Sequence, residues 1–205
     1  DRPVYLVRID GHAAIANNKA LELAGIKASD TISGGEFVIQ NGRLTGVLVD
    51  NAMDRVAARI PFPTDQEFEK SLQLAQQNCF ATGLTTIHDC GLNYELVEKI
   101  QFFQEKGSLK MRLFVLLSDA KKNYDYLTKR GSIKTDRLKV SGFKLYGDGA
   151  LGSRGACLLK DYSDKPGWKG FLLSDAAHFD SMAALIIKNK WQMCTHAIGD
   201  SGNRV

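Results

Sequence analysis

The chain has 205 residues, of which 44% are hydrophobic and 24% are charged, and its formal net charge is +4. This composition is typical of a soluble globular protein with one large domain or two small ones. Basic and acidic residues are interspersed, and the apolar runs are too short to span a bilayer. The sequence therefore predicts no nucleic-acid partner and no membrane partner.

The four cysteines lie in apolar or strand-like surroundings, and none belongs to a C-x-x-C pair. We expect reduced and mostly buried thiols, which favours a cytoplasmic location. No secretory signal opens the chain. The first residues read as a strand, and Asp200-Ser201 reads as a helix cap close to the last residue. Both ends lead us to expect a fragment of a longer protein.

Residues 1–62 form the first predicted region, an inserted α+β segment. It begins with the strand PVYLVRI and a helix over 17–26, in which asparagine provides the N-cap and glycine the end. Asn41-Gly42 stands between two alternating apolar runs and predicts a β-hairpin. Another helix is expected over 51–59.

Residues 63–205 alternate helical and strand patterns. A capping box, Thr64 to Glu67, begins a long helix. Strands such as LFVLL are continuously apolar, as in a parallel sheet that is covered on both faces. The predicted fold class is therefore α/β. The predicted strands cover 84–89, 111–118, 140–146 and 191–199.

Ionisable residues end three of these strands. His88-Asp89 closes the first, Lys144 to Asp148 the third, and His196 to Asp200 the fourth. Sites in parallel α/β folds are built where strands reach their carboxyl ends. Three such strand ends favour the rim of a barrel over a single nucleotide crevice.

Gly147 to Gly152 also matches G-x-G-x-x-G, the dinucleotide fingerprint. That fingerprint requires a helix to begin at its third glycine. Gly155 and Pro166-Gly167 interrupt the following sequence too early for a long helix. A nucleotide-binding oxidoreductase is therefore disfavoured.

Lys144 is the sharper anomaly, because it lies between Phe143 and Leu145 in an apolar strand. Alternation places the lysine on the opposite face from these two neighbours. It could extend to solvent or pair with Asp148, or its amine could be neutralised by burial and take part in chemistry. A lone strand histidine such as His196 can likewise be structural or a ligand.

The chain resembles the amidohydrolase superfamily, in the branch of amidohydrolase family 3, and is similar to N-substituted formamide deformylases. The resemblance implies a partial (β/α)8 barrel with about strands 2–5 of the family fold, in which residues 1–62 are an insertion and residues 63–205 belong to the barrel. The stretches that carry it are PVYLVRIDGHAAIANNKALELAGI, GLTTIHDCG, FKLYGDGALGSRGACLLKDYSD and WQMCTHAIGDSGNRV.

The resemblance also implies one or two divalent metal ions, usually zinc. Lys144 matches the fourth-strand lysine, which becomes a carbamate, and His196 matches the fifth-strand histidine. A bound metal would activate water, and the expected reaction is hydrolysis of a non-peptide carbon–nitrogen bond in a small molecule. The family's H-x-H, its sixth-strand histidine and its eighth-strand aspartate have no counterpart in this sequence.

We therefore predict no catalytic residue in this chain, and expect it to be inactive alone and to bind metal weakly or not at all. Open barrel edges at the strands over 84–89 and 191–199 predict self-association or a partly rearranged end. The alternative function is a non-catalytic α/β binding module. His88 could form a strand-end pair with Asp89 or contact the substrate. Asp148 and Arg154 could hold the loop over the site, contact a polar substrate, or form a structural pair with each other. The predicted substrate-binding residues are His88, Asp148, Arg154 and His12.

Overall fold

The computed structural model describes residues 2–205, which form two compact units. The predicted division at residue 62 concerns the domains of the whole protein and stays a prediction. In this chain, the second unit comprises Phe62–Leu145 and Ser181–Thr195. The first unit comprises Asp1–Pro61, Tyr146–Asp180 and His196–Val205.

Hydrogen bonds explain why later residues join the first unit. The Asn51 side chain donates to the carbonyl of Leu173 at 3.3 Å. The Lys165 ammonium lies 3.3 Å from the Glu36 carboxylate. These contacts attach the segment Tyr146–Asp180 to the sheet and helices of residues 2–61.

The first unit is built on an antiparallel four-stranded sheet in the order β1-β2-β4-β3. Its apolar core is packed between the sheet and two helices, with Leu48 and Ala52 completely buried. The short strand β2, sequence AAIA, has no clear pattern in the sequence and was not predicted. The elements are β1 Tyr5–Val7, β2 Ala13–Ala16, α1 Asn18–Ala24, β3 Gly35–Gln40, β4 Arg43–Asp50 and α2 Asn51–Ala57.

Local sequence signals determine the ends of these elements. The Asn17 side chain accepts a hydrogen bond from the Ala20 amide at 3.0 Å, and Gly25 ends α1 in the left-handed conformation. Asn41 and Gly42 both have positive φ angles, 52° and 75°, as a two-residue hairpin turn requires. The predicted N-cap, helix end and hairpin are all confirmed.

The second unit contains a largely parallel sheet, in which β5, β6 and β8 are parallel neighbours. β7 pairs antiparallel with β8, and β9 also pairs with β8. The predicted α/β class is confirmed, whereas the short β7 was not predicted. The elements are α3 Asp65–Ala81, β5 Thr86–Leu92, α4 Tyr94–Glu105, β6 Arg112–Ser118, α5 Lys121–Arg130, β7 Ile133–Lys134, β8 Leu138–Tyr146, α6 Ala176–Lys188 and β9 Gln192–His196.

The glycine-bearing loop after β8 forms only a three-residue 3-10 helix, Leu151–Ser153. A dinucleotide site would need an α-helix to begin there. The observed loop therefore agrees with the sequence-based argument against a nucleotide site. Separately, none of the helices in residues 2–205 has the length and apolarity needed to cross a membrane.

Candidate functional site

The first unit contains a buried aspartate–histidine pair. The Asp50 carboxylate at the end of β4 lies 2.6 Å from Nδ1 of His12, which precedes β2. The two side chains are only 3% and 13% exposed, respectively. Burial raises the pKa of the Asp50 carboxyl group, while the hydrogen bond to His12 acts in the opposite direction.

Asp50 adopts an unusual backbone conformation, with φ 48° and ψ −123°. Residues other than glycine rarely have a positive φ, and such strain is common at functional sites. Asp50 occupies the N-cap position of α2, yet its side chain makes no capping hydrogen bond. The carboxylate instead points towards His12.

Two glycines of the loop after β8 make room for this carboxylate. A Cβ atom at Gly149 or Gly155 would collide with the carboxylate of Asp50. Neither glycine has a positive φ. Both positions therefore lack a side chain because the Asp50 carboxylate occupies the space. Their backbone conformation does not require glycine.

His196, the predicted metal ligand, lies beside this pair. Its ring centroid is 4.8 Å from that of His12 and 5.7 Å from that of Tyr146. The backbone carbonyl of His196 accepts a hydrogen bond from the Gly147 amide at 2.7 Å. The structure thus brings together two sequence-predicted residues, His12 and His196.

Asp148 is completely buried and holds the loop in place. Its carboxylate accepts hydrogen bonds of 2.8 Å from the backbone amides of Cys157, Ile198 and Gly199. These bonds connect the loop after β8 to the segment after β9. Of the roles left open for Asp148, holding the loop is supported by these bonds, whereas substrate contact stays a prediction.

Arg154 does not pair with Asp148, so that alternative is wrong. Its guanidinium contacts Asp164 instead, at 2.8 and 3.2 Å, and this contact raises the pKa of Arg154. The suggested substrate contact of Arg154 stays a prediction.

Asp200 also holds this loop, because its carboxylate accepts a hydrogen bond from the Leu159 amide at 2.9 Å.

In the second unit, Lys144 lies on β8 as the alternation predicts. Its neighbours Phe143 and Leu145 are completely buried, and Lys144 itself is half-buried. Burial lowers the pKa of the Lys144 amine, and the thiols of Cys90 and Cys194 interact electrostatically with it. The Lys144 amine also donates to the Leu145 carbonyl at 3.3 Å.

His88 lies on β5 with its ring centroid 5.0 Å from that of Phe114. His88 is exposed, whereas its neighbour Asp89 is half-buried. Asp89 lines an apolar cavity of about 170 Å³ beneath α3, and burial raises the pKa of its carboxyl group. The side chains of His88 and Asp89 therefore lie on opposite faces of the strand, and the predicted substrate contact of His88 is untested.

Lys144 in the second unit and His196 in the first each have a side chain that can bind a metal ion. A lysine whose pKa is lowered by burial has the chemistry that carbamate formation needs, and His196 offers an imidazole at the end of a strand. Within residues 2–205, however, no three or more His, Cys, Asp or Glu side chains are grouped to hold a metal ion.

Asp50 is the residue that sequence reasoning missed. An aspartate between a strand and a helix is typical of an ordinary N-cap. Its positive φ and its contact with His12 depend on how β2 and β4 pair, which the sequence pattern does not reveal. Gly149 and Gly155 indicate that another group lies close to the loop after β8. Only the structure shows that this group is the Asp50 carboxylate.

Comparison with known proteins identifies the family that this chain matches. The profile described as "Amidohydrolase family" matches residues 1–204. "Protein LONG AFTER FAR-RED 3" of Arabidopsis thaliana is 28% identical over 98% of this chain and 37% of its own length. "Putative amidohydrolase YtcJ" of Bacillus subtilis (strain 168) is 28% identical over 98% of this chain and 39% of its own length. The chain thus spans well under half of these relatives.

Two solved structures share the fold. One is an uncharacterized metal-dependent hydrolase from Pyrococcus horikoshii OT3, with a TM-score of 0.74 and 24% identity over all of this chain and 41% of that one. The other is an uncharacterized metal-dependent hydrolase from Pyrococcus furiosus, with a TM-score of 0.69 and 25% identity over all of this chain and 42% of that one.

Proposed function

Because the chain belongs to amidohydrolase family 3, we propose that the whole protein hydrolyses a carbon–nitrogen bond of a non-peptide amide or related small molecule. The family match over residues 1–204 carries this proposal. We also propose that the parallel strands of the second unit belong to a (β/α)8 barrel. The consecutive parallel pairing of β5, β6 and β8 supports this architecture.

Lys144 and His196 are the proposed metal-binding residues, and zinc is the proposed ion. The lowered pKa of Lys144 supports its role, because only a neutral amine takes up carbon dioxide to form a carbamate, with release of a proton. When bound, a divalent ion lowers the pKa of its water and polarises the carbonyl that is attacked. His12 would contact the substrate, and Asp148 would hold the loop beside it.

The whole protein, with zinc or manganese supplied, should release amine from members of a panel of N-substituted formamides and acetamides. Lys144→Ala and His196→Ala should each reduce the bound metal, measured by mass spectrometry, and the rate of amine release. Lys139→Ala is a matched control, because Lys139 lies on the same strand and contacts the ring of Phe114. This control should keep both metal and activity.

Unchanged metal content in both variants would overturn the assignment of these ligands. A metal-loaded whole protein that hydrolyses no member of the panel would instead favour the binding-module alternative. The cytoplasmic location stays a prediction.

A further inference from the structure

We propose that Asp50 is a positioning residue that fixes the imidazole of His12, so that Nε2 of His12 accepts a hydrogen bond from an N–H group of the substrate. This inference rests on the proposed function for the nature of the substrate. The contact between Asp50 and His12 does not depend on it.

The first step is the orientation of the His12 ring. We assign the proton of the 2.6 Å bond between His12 and Asp50 to Nδ1 of His12, because an ionised carboxylate can only accept. A neutral imidazole has one N–H donor and one acceptor nitrogen, and Nε2 is then the acceptor. Among the described residues, no group forms a hydrogen bond with Nε2 of His12.

Second, the arrangement of Asp50 is energetically unfavourable in two respects. The second carboxylate oxygen of Asp50, Oδ2, is buried and has no hydrogen-bond partner among the described residues. An unsatisfied buried acceptor is destabilising, and so is the positive φ of Asp50. Helix capping does not explain this cost, because the Asp50 side chain does not cap α2. Orientation of His12 is the contact that the carboxylate does make.

The third step is the recess that holds the carboxylate. Gly149 and Gly155 leave space for Asp50, and a side chain at either position would displace it. Gly152 lies in the same loop, but a Cβ there would have no neighbouring atom within 4 Å. The loop therefore contains two positions that should be sensitive to alanine and one that should not.

The substrate group follows from the acceptor nitrogen. A secondary amide or an amine has an N–H that can donate to Nε2, whereas a tertiary amide has none. The matched probes are N-benzylacetamide and N-benzyl-N-methylacetamide, which differ only at this nitrogen.

One test measures the tautomer of His12 directly, by NMR of the whole protein labelled with ¹⁵N-histidine. The His12 signals are assigned by their loss in His12→Gln. The wild type should show the proton on Nδ1 of His12. Asp50→Ala should produce a mixture of tautomers, and the conservative Asp50→Asn should restore the Nδ1–H form, because its amide oxygen can accept. Gly155→Ala should shift the His12 signals, and Gly152→Ala should leave them unchanged.

The other test measures affinity and hydrolysis for the two probes. The wild type should favour the secondary amide by about 10-fold, the value of one oriented hydrogen bond. Asp50→Ala and His12→Ala should abolish this preference, because alanine has no acceptor. Asp54→Asn, at an exposed aspartate on α2 that does not contact His12, should keep it.

The possible failures are distinguishable. An Nε2–H tautomer in the wild type, or an Nδ1–H tautomer that survives Asp50→Ala, overturns the positioning role. Equal affinity of the wild type for both probes, or no affinity for either, overturns the substrate contact. Binding with the expected preference but without amine release supports this inference and counts against the proposed hydrolysis.

Discussion

Asp89 illustrates how one residue responds to its surroundings, because it ends up beneath α3 in an apolar cavity. Burial raises the pKa of its carboxyl group above the ordinary value of 3.8. The unfolded chain therefore loses this proton at lower pH than the folded chain does. The contribution of Asp89 to the free energy of unfolding should fall as the pH rises through this interval, and stay low at neutral pH.

Asp89→Asn should consequently become more favourable relative to the wild type between pH 3.5 and pH 7, in urea unfolding followed by circular dichroism. Ile87→Val is the matched control, since Ile87 lines the same cavity but has no ionisable group. Its effect on stability should be the same at both pH values. A constant difference between Asp89→Asn and the wild type across this range would contradict the prediction.

Some individual residues could be understood from the sequence and others could not. The placement of Lys144 follows from strand alternation, which depends only on the residue's immediate neighbours. The hydrogen-bond partners of the Asp148 carboxylate could not be predicted, because the backbone amides that donate to it belong to residues up to 51 positions away. Asp50 was missed for the same reason.

Among the elements, α3 has a clear start signal in its own sequence. None of its described residues is fully buried, although Gln76 accepts hydrogen bonds from the Lys110 and Met111 amides. Its capping box is complete, with the Thr64 side chain accepting from the Glu67 amide and the Glu67 side chain accepting from the Thr64 amide. These reciprocal bonds, which the sequence predicted, satisfy donors that the first helical turn leaves unpaired.

Thr64→Ala should lower the free energy of unfolding by about 1 kcal/mol. Glu67→Gln is the control, because glutamine can also complete the box. Urea unfolding monitored at 222 nm measures both variants. If both lost stability equally, the charge of Glu67 and not the capping geometry would explain the effect.

The long elements were predicted correctly because their patterns extend over several turns or pleats. The misses were β2 and β7, of four and two residues. Strands of this length contain too few residues to show alternation. They form because longer strands beside them offer hydrogen-bonding groups.

At the scale of the whole molecule, we propose that the chain associates with itself through β5. Within residues 2–205, β5 pairs only with β6. The Arg112 amide donates to the Thr85 carbonyl at 3.3 Å, so Thr85 faces β6. Successive residues alternate in direction, and the N–H and carbonyl of Thr86 therefore point towards the open edge, where they can pair with another chain.

Light scattering after size exclusion should show a mass that rises with concentration. Thr86→Pro removes an outward-facing N–H and should shift the protein towards the monomer. Ile87→Pro removes an N–H that, by the same alternation, points towards β6, and should instead lower stability. A wild type that is monomeric at every concentration would contradict the proposal.

The contact between Asp50 and the two glycines also has an evolutionary consequence. Position 50 belongs to a strand end, and positions 149 and 155 belong to a loop about a hundred residues later. The space they share can hold one carboxylate or one additional side chain, but not both. In diverging descendants of this chain, alanine or serine at either glycine should be accompanied by a smaller residue at position 50.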